Sequence, residues 1–167
     1  MEQSCGDKNA ITFFPIGTIH SPFHDIAGMP IQPNGARGVR GTVEIADGFA
    51  EGLKDLDGFD RIILVYSFHR CNGHDLHVKP FLDPAPHGIF ATRSPRRPNA
   101  IGLSVVRLVA VNGSTLLVED VDVLDGTPLL DIKPYVPAFD SYPESCCGWL
   151  ETVAQNAGSV RSDGRFR

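Results

Sequence analysis

Chain breakers constrain this sequence more than any other feature: 17 glycines and 13 prolines punctuate its 167 residues. Glycine supplies the positive φ of tight turns, and proline removes a backbone donor, so long helices are excluded along most of the chain. Between the breakers lie short segments rich in Val, Ile, Phe and Thr, the composition of strands. Such runs occupy residues 11–19, 39–45, 61–68, 88–92, 103–111 and 115–121. Asn112-Gly113 separates the last two and predicts a tight hairpin with a primed turn. Two helical segments fit the spacing. One is capped by Asp47, carries Phe49, Leu53 and Leu56, and ends at Asp57-Gly58. The other covers 146–155 with Trp149, Leu150 and Val153. Strands outnumber helices and do not alternate with them. The expected fold is therefore mainly β, a small closed or nearly closed β-barrel with one or two short helices.

Hydrophobic residues make up 42% of the chain and charged residues 21%, a globular balance. No run approaches the ~20 apolar residues of a membrane span, and the polar start lacks a signal-peptide core. The expectation is one domain over 11–157 between flexible tails at 1–10 and 158–167, located in the cytoplasm. Cys5, Cys71, Cys146 and Cys147 form neither a disulfide framework nor a CxxC pair, and read as reduced thiols.

The net charge of −5 argues against a surface coated in nucleic acid, and no membrane or DNA partner is expected. Charge is unevenly distributed, however. Residues 84–118 contain no Asp or Glu but include Arg93, Arg96, Arg97 and Arg107; Glu119, Asp120, Asp122, Asp125 and Asp131 follow.

Four constellations could carry chemistry. In residues 91–104, prolines 95 and 98 fix a loop that holds three arginines. Guanidinium groups suit forked contacts with carboxylate or phosphate; internal salt bridges would explain them equally well. In residues 122–135, Asp125-Gly126 marks a turn whose carboxylates suit ribose hydroxyls and whose amides suit a purine edge; a purely structural turn is the alternative. In residues 69–77, Cys71, His74 and His77 match no common zinc spacing, and no metal is expected; His69 reads as a strand-end residue facing a pocket. In residues 16–32, Ser21-Pro22 and Met29-Pro30 stiffen a loop that ends at Gln32, an amide suited to a nucleobase edge. No GxGxxG, Walker A or GxSxG motif is present.

Residues 92–104 (TRSPRRPNAIGLS) and 125–135 (DGTPLLDIKPY) resemble the signatures of the TsaA/TrmO-like family, as do residues 15–22 and Phe68-His69. The resemblance runs from about Phe14 to about Asp140. It implies a β-barrel that binds S-adenosylmethionine without a Rossmann sheet, usually as a homodimer. It also implies methylation of N6 of the threonylcarbamoylated adenosine just 3′ of a tRNA anticodon. Carried over by motif, the cofactor site comprises Pro30, Ile31, Gln32, His69, Arg70, Arg93, Leu103, Asp122, Asp125, Gly126 and Thr127. Asp131 or Asn99 could take the N6 proton, Tyr135 could stack, and Arg96, Arg97 and Lys133 suit RNA phosphates. A different methyl acceptor, a non-catalytic S-adenosylmethionine sensor and a metal-binding protein are the competing readings.

Overall fold

The computed structural model describes residues 10–166; the expectations for residues 1–9, Cys5 included, lie outside them. In chain order the strands are β1 (Gly17–His20), β2 (Arg40–Ile45), β3 (Arg61–Ser67), β4 (His77–Val78), β5 (His87–Gly88), β6 (Ile101–Asn112), β7 (Thr115–Glu119) and β8 (Thr127–Pro134). Six of them close an antiparallel barrel in the order β1-β2-β7-β6-β3-β8, and β4 and β5 form a separate ribbon. Closure follows from alternation. Ile62, Leu64 and Tyr66 of β3 and Ser104, Val106 and Leu108 of β6 point inward and are buried. With Ile19, Val43, Leu116, Val118 and Leu129 they fill the barrel, so every ladder is paired and no edge is left.

The hairpin between β6 and β7 forms one residue later than Asn-Gly suggests. Asn112 pairs with Thr115, and Gly113 alone of the two turn residues has positive φ (+60°), the pattern of a type II′ turn.

Several elements differ from the sequence reading. The first strand starts at Gly17, not residue 11. Residues 88–92 are not a strand: only His87–Gly88 pairs, and Ile89–Ala91 is a 3-10 turn. The Thr92 N–H and hydroxyl both donate to the Ile89 carbonyl, winding the backbone out of the ribbon. The early helix is two 3-10 pieces, Asp47–Leu53 and Leu56–Gly58; Ala46 rather than Asp47 is the N-cap, without a side-chain bond. Gly48 and Gly52 weaken a longer helix, and Asp55 at φ +65° breaks it. The second helical segment likewise divides into 3-10 turns Gly148–Leu150 and Ala154–Gly158. Among the described residues the one α-helix is α1 (Pro137–Asp140). Strand β8 occupies part of the 122–135 segment that Asp125-Gly126 marks as a turn, and it contains Pro128, which has no N–H. Its pairing with β3 starts only at Leu129, so no bond on that side needs the missing donor.

Residues 158–166, polar enough to predict a loose end, make specific contacts. Arg161 bridges Pro30, and the Ser162 N–H donates to the Met29 carbonyl. Phe166 is buried against Val78, Ile89 and Phe81. No helix among the described residues is long and apolar enough to cross a membrane.

Candidate functional site

One end of the barrel, where β3 finishes and β6 and β8 begin, collects most of the polar candidates. Its floor depends on Gly102. A Cβ there would lie 2.2 Å from Tyr66 Cε2 and 2.9 Å from Phe68 Cζ, so only glycine lets these rings close over β6. The rings meet edge-to-face with centroids 5.4 Å apart.

Beneath them runs a buried polar chain. The Tyr66 hydroxyl lies 3.0 Å from Ser104 Oγ, which donates to Asp122 Oδ1 at 2.6 Å. Ser104 has one proton and gives it to the carboxylate, so Tyr66 donates to Ser104 and the chain points toward Asp122. Burial pushes the Asp122 carboxyl up to about 6, against the Ser104 hydrogen bond and the Arg93 charge. Burial, then the Asp122 charge, raises the Tyr66 phenol.

Two loops close over this chain. Arg93 Nη1 donates to Gln32 Oε1 at 2.9 Å, joining the 92–100 loop to the loop that follows Pro30. Pro30 is buried, Ile31 and Gln32 are half-buried, and the Arg161 bridge fixes the backbone beneath them.

The 122–127 turn forms a third wall. Gly126 adopts φ +75° and donates to the Ile19 carbonyl at 3.0 Å. Asp125 accepts the Ser21 N–H at 3.2 Å and lies 3.2 Å from His20 Nδ1 and 3.3 Å from His24 Nδ1. The Ser21 N–H, then the two histidines, hold its carboxyl below the ordinary range. His69 Nδ1 sits 3.4 Å from Thr127 Oγ1. Burial and the Arg70 charge lower the His69 pKa and favour neutral imidazole. Arg70 also lines a cavity of about 350 Å³ with Asp25, Ile26 and Asn72.

Gln32, Arg93, Asp122, Asp125, Gly126, Thr127 and His69 thus border one region. Leu103 does not face it from this chain: between inward Gly102 and Ser104 it points out of the barrel and is 52% exposed. Asp131 and Lys133 are separated as well. The β-bulge between Val65 and Tyr66 lets both leave the core face, and they pair with each other at 2.7 Å. Asp131 lies four residues beyond Thr127, about 13 Å along an extended strand. It lines an apolar cleft of about 430 Å³ with Ile16, Leu53, Leu56 and Ile132. Tyr135 follows beyond Pro134, its N–H on the Arg61 carbonyl. Asn99 is exposed just before β6.

The loop arginines have internal partners, but not in the acidic segment. Arg96 pairs with Asp75 and donates to the Asn72 carbonyl at 2.9 Å. Arg97 donates to the carbonyls of Thr92 at 2.8 Å and Ile89 at 3.3 Å. Among the described residues no group of three or more His, Cys, Asp or Glu could hold a metal ion. Tyr66 and Ser104 are the site residues that sequence reasoning missed. The available signal was a serine on the inward face of an otherwise apolar strand.

Comparison with known proteins identifies the family of the chain. Residues 18–141 match the tRNA-methyltransferase O N-terminal domain family. A Pyrococcus abyssi protein named as a "probable S-adenosyl-L-methionine-binding protein" is 53% identical over 156 residues, covering 93% of this chain and 85% of its own. The mouse tRNA (adenine(37)-N6)-methyltransferase is 40% identical over 136 residues, covering 76% of this chain but only 31% of its own. The crystal structure of TrmO from Pseudomonas aeruginosa superposes with a TM-score of 0.71 at 37% identity, covering 84% of this chain and 62% of that one. The family match spans the whole barrel, and the chain belongs to the tRNA-methyltransferase O family.

Proposed function

We propose that this protein binds S-adenosylmethionine at the β3/β6/β8 end of the barrel and transfers its methyl group to N6 of the threonylcarbamoyl-modified adenosine beside a tRNA anticodon. The observation that carries the reading is the meeting of Gln32 and Arg93 over the Tyr66–Ser104–Asp122 chain, beside the 125–127 turn. This donor set suits the ligand. Arg93 offers a guanidinium for the ligand carboxylate, Gln32 an amide for the adenine edge, and Asp125 a carboxylate for ribose hydroxyls.

S-adenosylmethionine supplies a methyl group already activated by a sulfonium charge, so the protein's work is positioning and proton handling. Arg93 and Gln32 fix the two loops relative to each other, and the Gly126 turn fixes the third wall. His69, held neutral, presents a ring that adds no competing positive charge. Arg96 and Arg97 stiffen the 92–100 loop through their internal bonds, which presents Arg93 from a preorganised backbone.

A homodimer completes this reading. Ile101 (38% exposed) and Leu103 (52%) lie on the outer face of β6, where Leu103 is registered beside Val65 of β3. A second copy seated on this apolar strip brings Leu103 into a shared site.

Tritiated-methyl transfer to total tRNA, from strains with and without the threonylcarbamoyl modification, tests the function. Label should enter only modified tRNA, and sedimentation should show a dimer. Absence of S-adenosylmethionine binding by calorimetry in a chelator would refute the reading.

A further inference from the structure

We propose that Asp122 is the proton acceptor of the transfer, with Ser104 and Tyr66 as the positioning residues that hold its carboxylate; this rests on the functional reading above. The chemistry requires such a group. N6 of a carbamoylated adenosine carries one hydrogen, and its lone pair is delocalised into the ring and the carbonyl. It attacks effectively only as that proton leaves.

The structure removes the other candidates. Asp131 is about 13 Å away along β8 and is paired with Lys133. Asp125 is already held by the Ser21 N–H and two histidines, which weakens it as a base. His69 is disfavoured as an acceptor by burial and by Arg70. Asn99 has no basic group.

Asp122 differs from all of these. An ionised carboxylate has about four lone-pair sites; Ser104 takes one and the backbone N–H of Asp122 itself another, which leaves room for a proton. The chain from Tyr66 through Ser104 donates toward Asp122, so it fixes the carboxylate without protonating it. The charged and titratable groups acting on it are Tyr66 from β3, through Ser104 of β6, and Arg93 from the 92–100 loop. Burial raises its basicity toward neutrality while leaving it ionised above about pH 6, the range in which a general base is useful. The bonds balance. The bond from N6 to the methyl carbon forms as the carbon–sulfur bond breaks, and sulfur keeps the electron pair. The N6 proton passes to Asp122 and then to water.

The test is Asp122→Asn, which preserves shape and an acceptor for Ser104. Single-turnover transfer to modified tRNA at saturating S-adenosylmethionine should fall at least about 100-fold, a much larger factor than any loss of calorimetric S-adenosylmethionine affinity. Ser104→Ala removes the hydrogen bond that lowers the Asp122 carboxyl, so the acidic limb of its rate–pH profile should move to higher pH. Tyr66→Phe should move it less. A merely structural role would lower rates at every pH without moving the limb. Two results would overturn the inference alone: an Asp122→Asn rate within tenfold of wild type, or loss of cofactor affinity in proportion to rate. Wild-type protein that binds cofactor but methylates no tRNA would overturn the functional reading and this inference together.

Discussion

A carboxylate kept ready to accept a proton should weaken the fold that holds it, and the structure sets the size of that effect. The Asp122 carboxyl is pushed up to about 6 from an ordinary 3.8. Ionising it in the folded protein therefore costs about 3 kcal/mol more than in the unfolded chain. The sign follows from the direction. Below pH 3.8 the group is protonated in both states and the cost is absent. Between 3.8 and 6 the unfolded chain releases the proton first, so stability falls as pH rises. Above about 6 the full cost applies. Asp122→Asn removes the charge but keeps an oxygen for Ser104, whose bond to the carboxylate is already contained in that shift. The variant should thus be more stable than wild type by up to about 3 kcal/mol at pH 7.5, with the gap closing by pH 4. Urea unfolding at pH 4, 5, 6 and 7.5 measures this through the midpoint at constant m. A variant less stable than wild type at pH 7.5, or a gap that does not change with pH, would refute the argument.

Gly102→Ala places a methyl carbon inside the Tyr66 ring envelope. It should cost about 1–3 kcal/mol by overpacking and disturb the Tyr66–Ser104 bond; an unfolding free energy within about 0.5 kcal/mol of wild type, the scatter of ordinary surface substitutions, would count against it. Arg97→Ala removes two bonds to the carbonyls that shape the turn before Arg93. Cofactor affinity by calorimetry should therefore fall. Unchanged cofactor affinity with a shallower salt dependence of tRNA binding would instead assign Arg97 to phosphate contact.

The barrel was legible because its strands alternate cleanly. The two-residue period of β3 and β6 sets Ile62, Leu64, Tyr66, Val106 and Leu108 on one face whatever closes around them. The missed elements are those in which local chemistry competes with periodicity. Ile89–Ala91 looks like a strand by composition, but Thr92 captures the Ile89 carbonyl and coils it. Strand β8 lies in the segment that Asp125-Gly126 marks as a turn, and the donor missing at Pro128 falls where β3 has not begun to pair. Single-residue features such as the bulge at Val65/Tyr66 leave no trace in hydrophobic pattern. That bulge carries Asp131 off the core face.

The site was only half legible for a related reason: motifs name the residues on loops, whereas the contacts that orient those loops come from elsewhere in the chain. Gln32 and Arg93 were visible in their motifs, but their bond joins residues 61 positions apart. The backbone beneath Gln32 is braced by Arg161 and Ser162, beyond the 18–141 span of the family match. Trp149 adds another tie from the same region: its indole N–H donates to the Ala91 carbonyl at 2.8 Å, and its ring stacks on His87 at 4.3 Å. These contacts act on the backbone that leads into the 92–100 loop and on the Pro30 turn. They reduce the freedom of the segments that present Arg93 and Gln32 before any ligand arrives, so less ordering cost falls on binding. Conformational precision at the mouth of the barrel therefore depends on a C-terminal stretch that includes the polar residues 158–166, whose composition gives no sign of it.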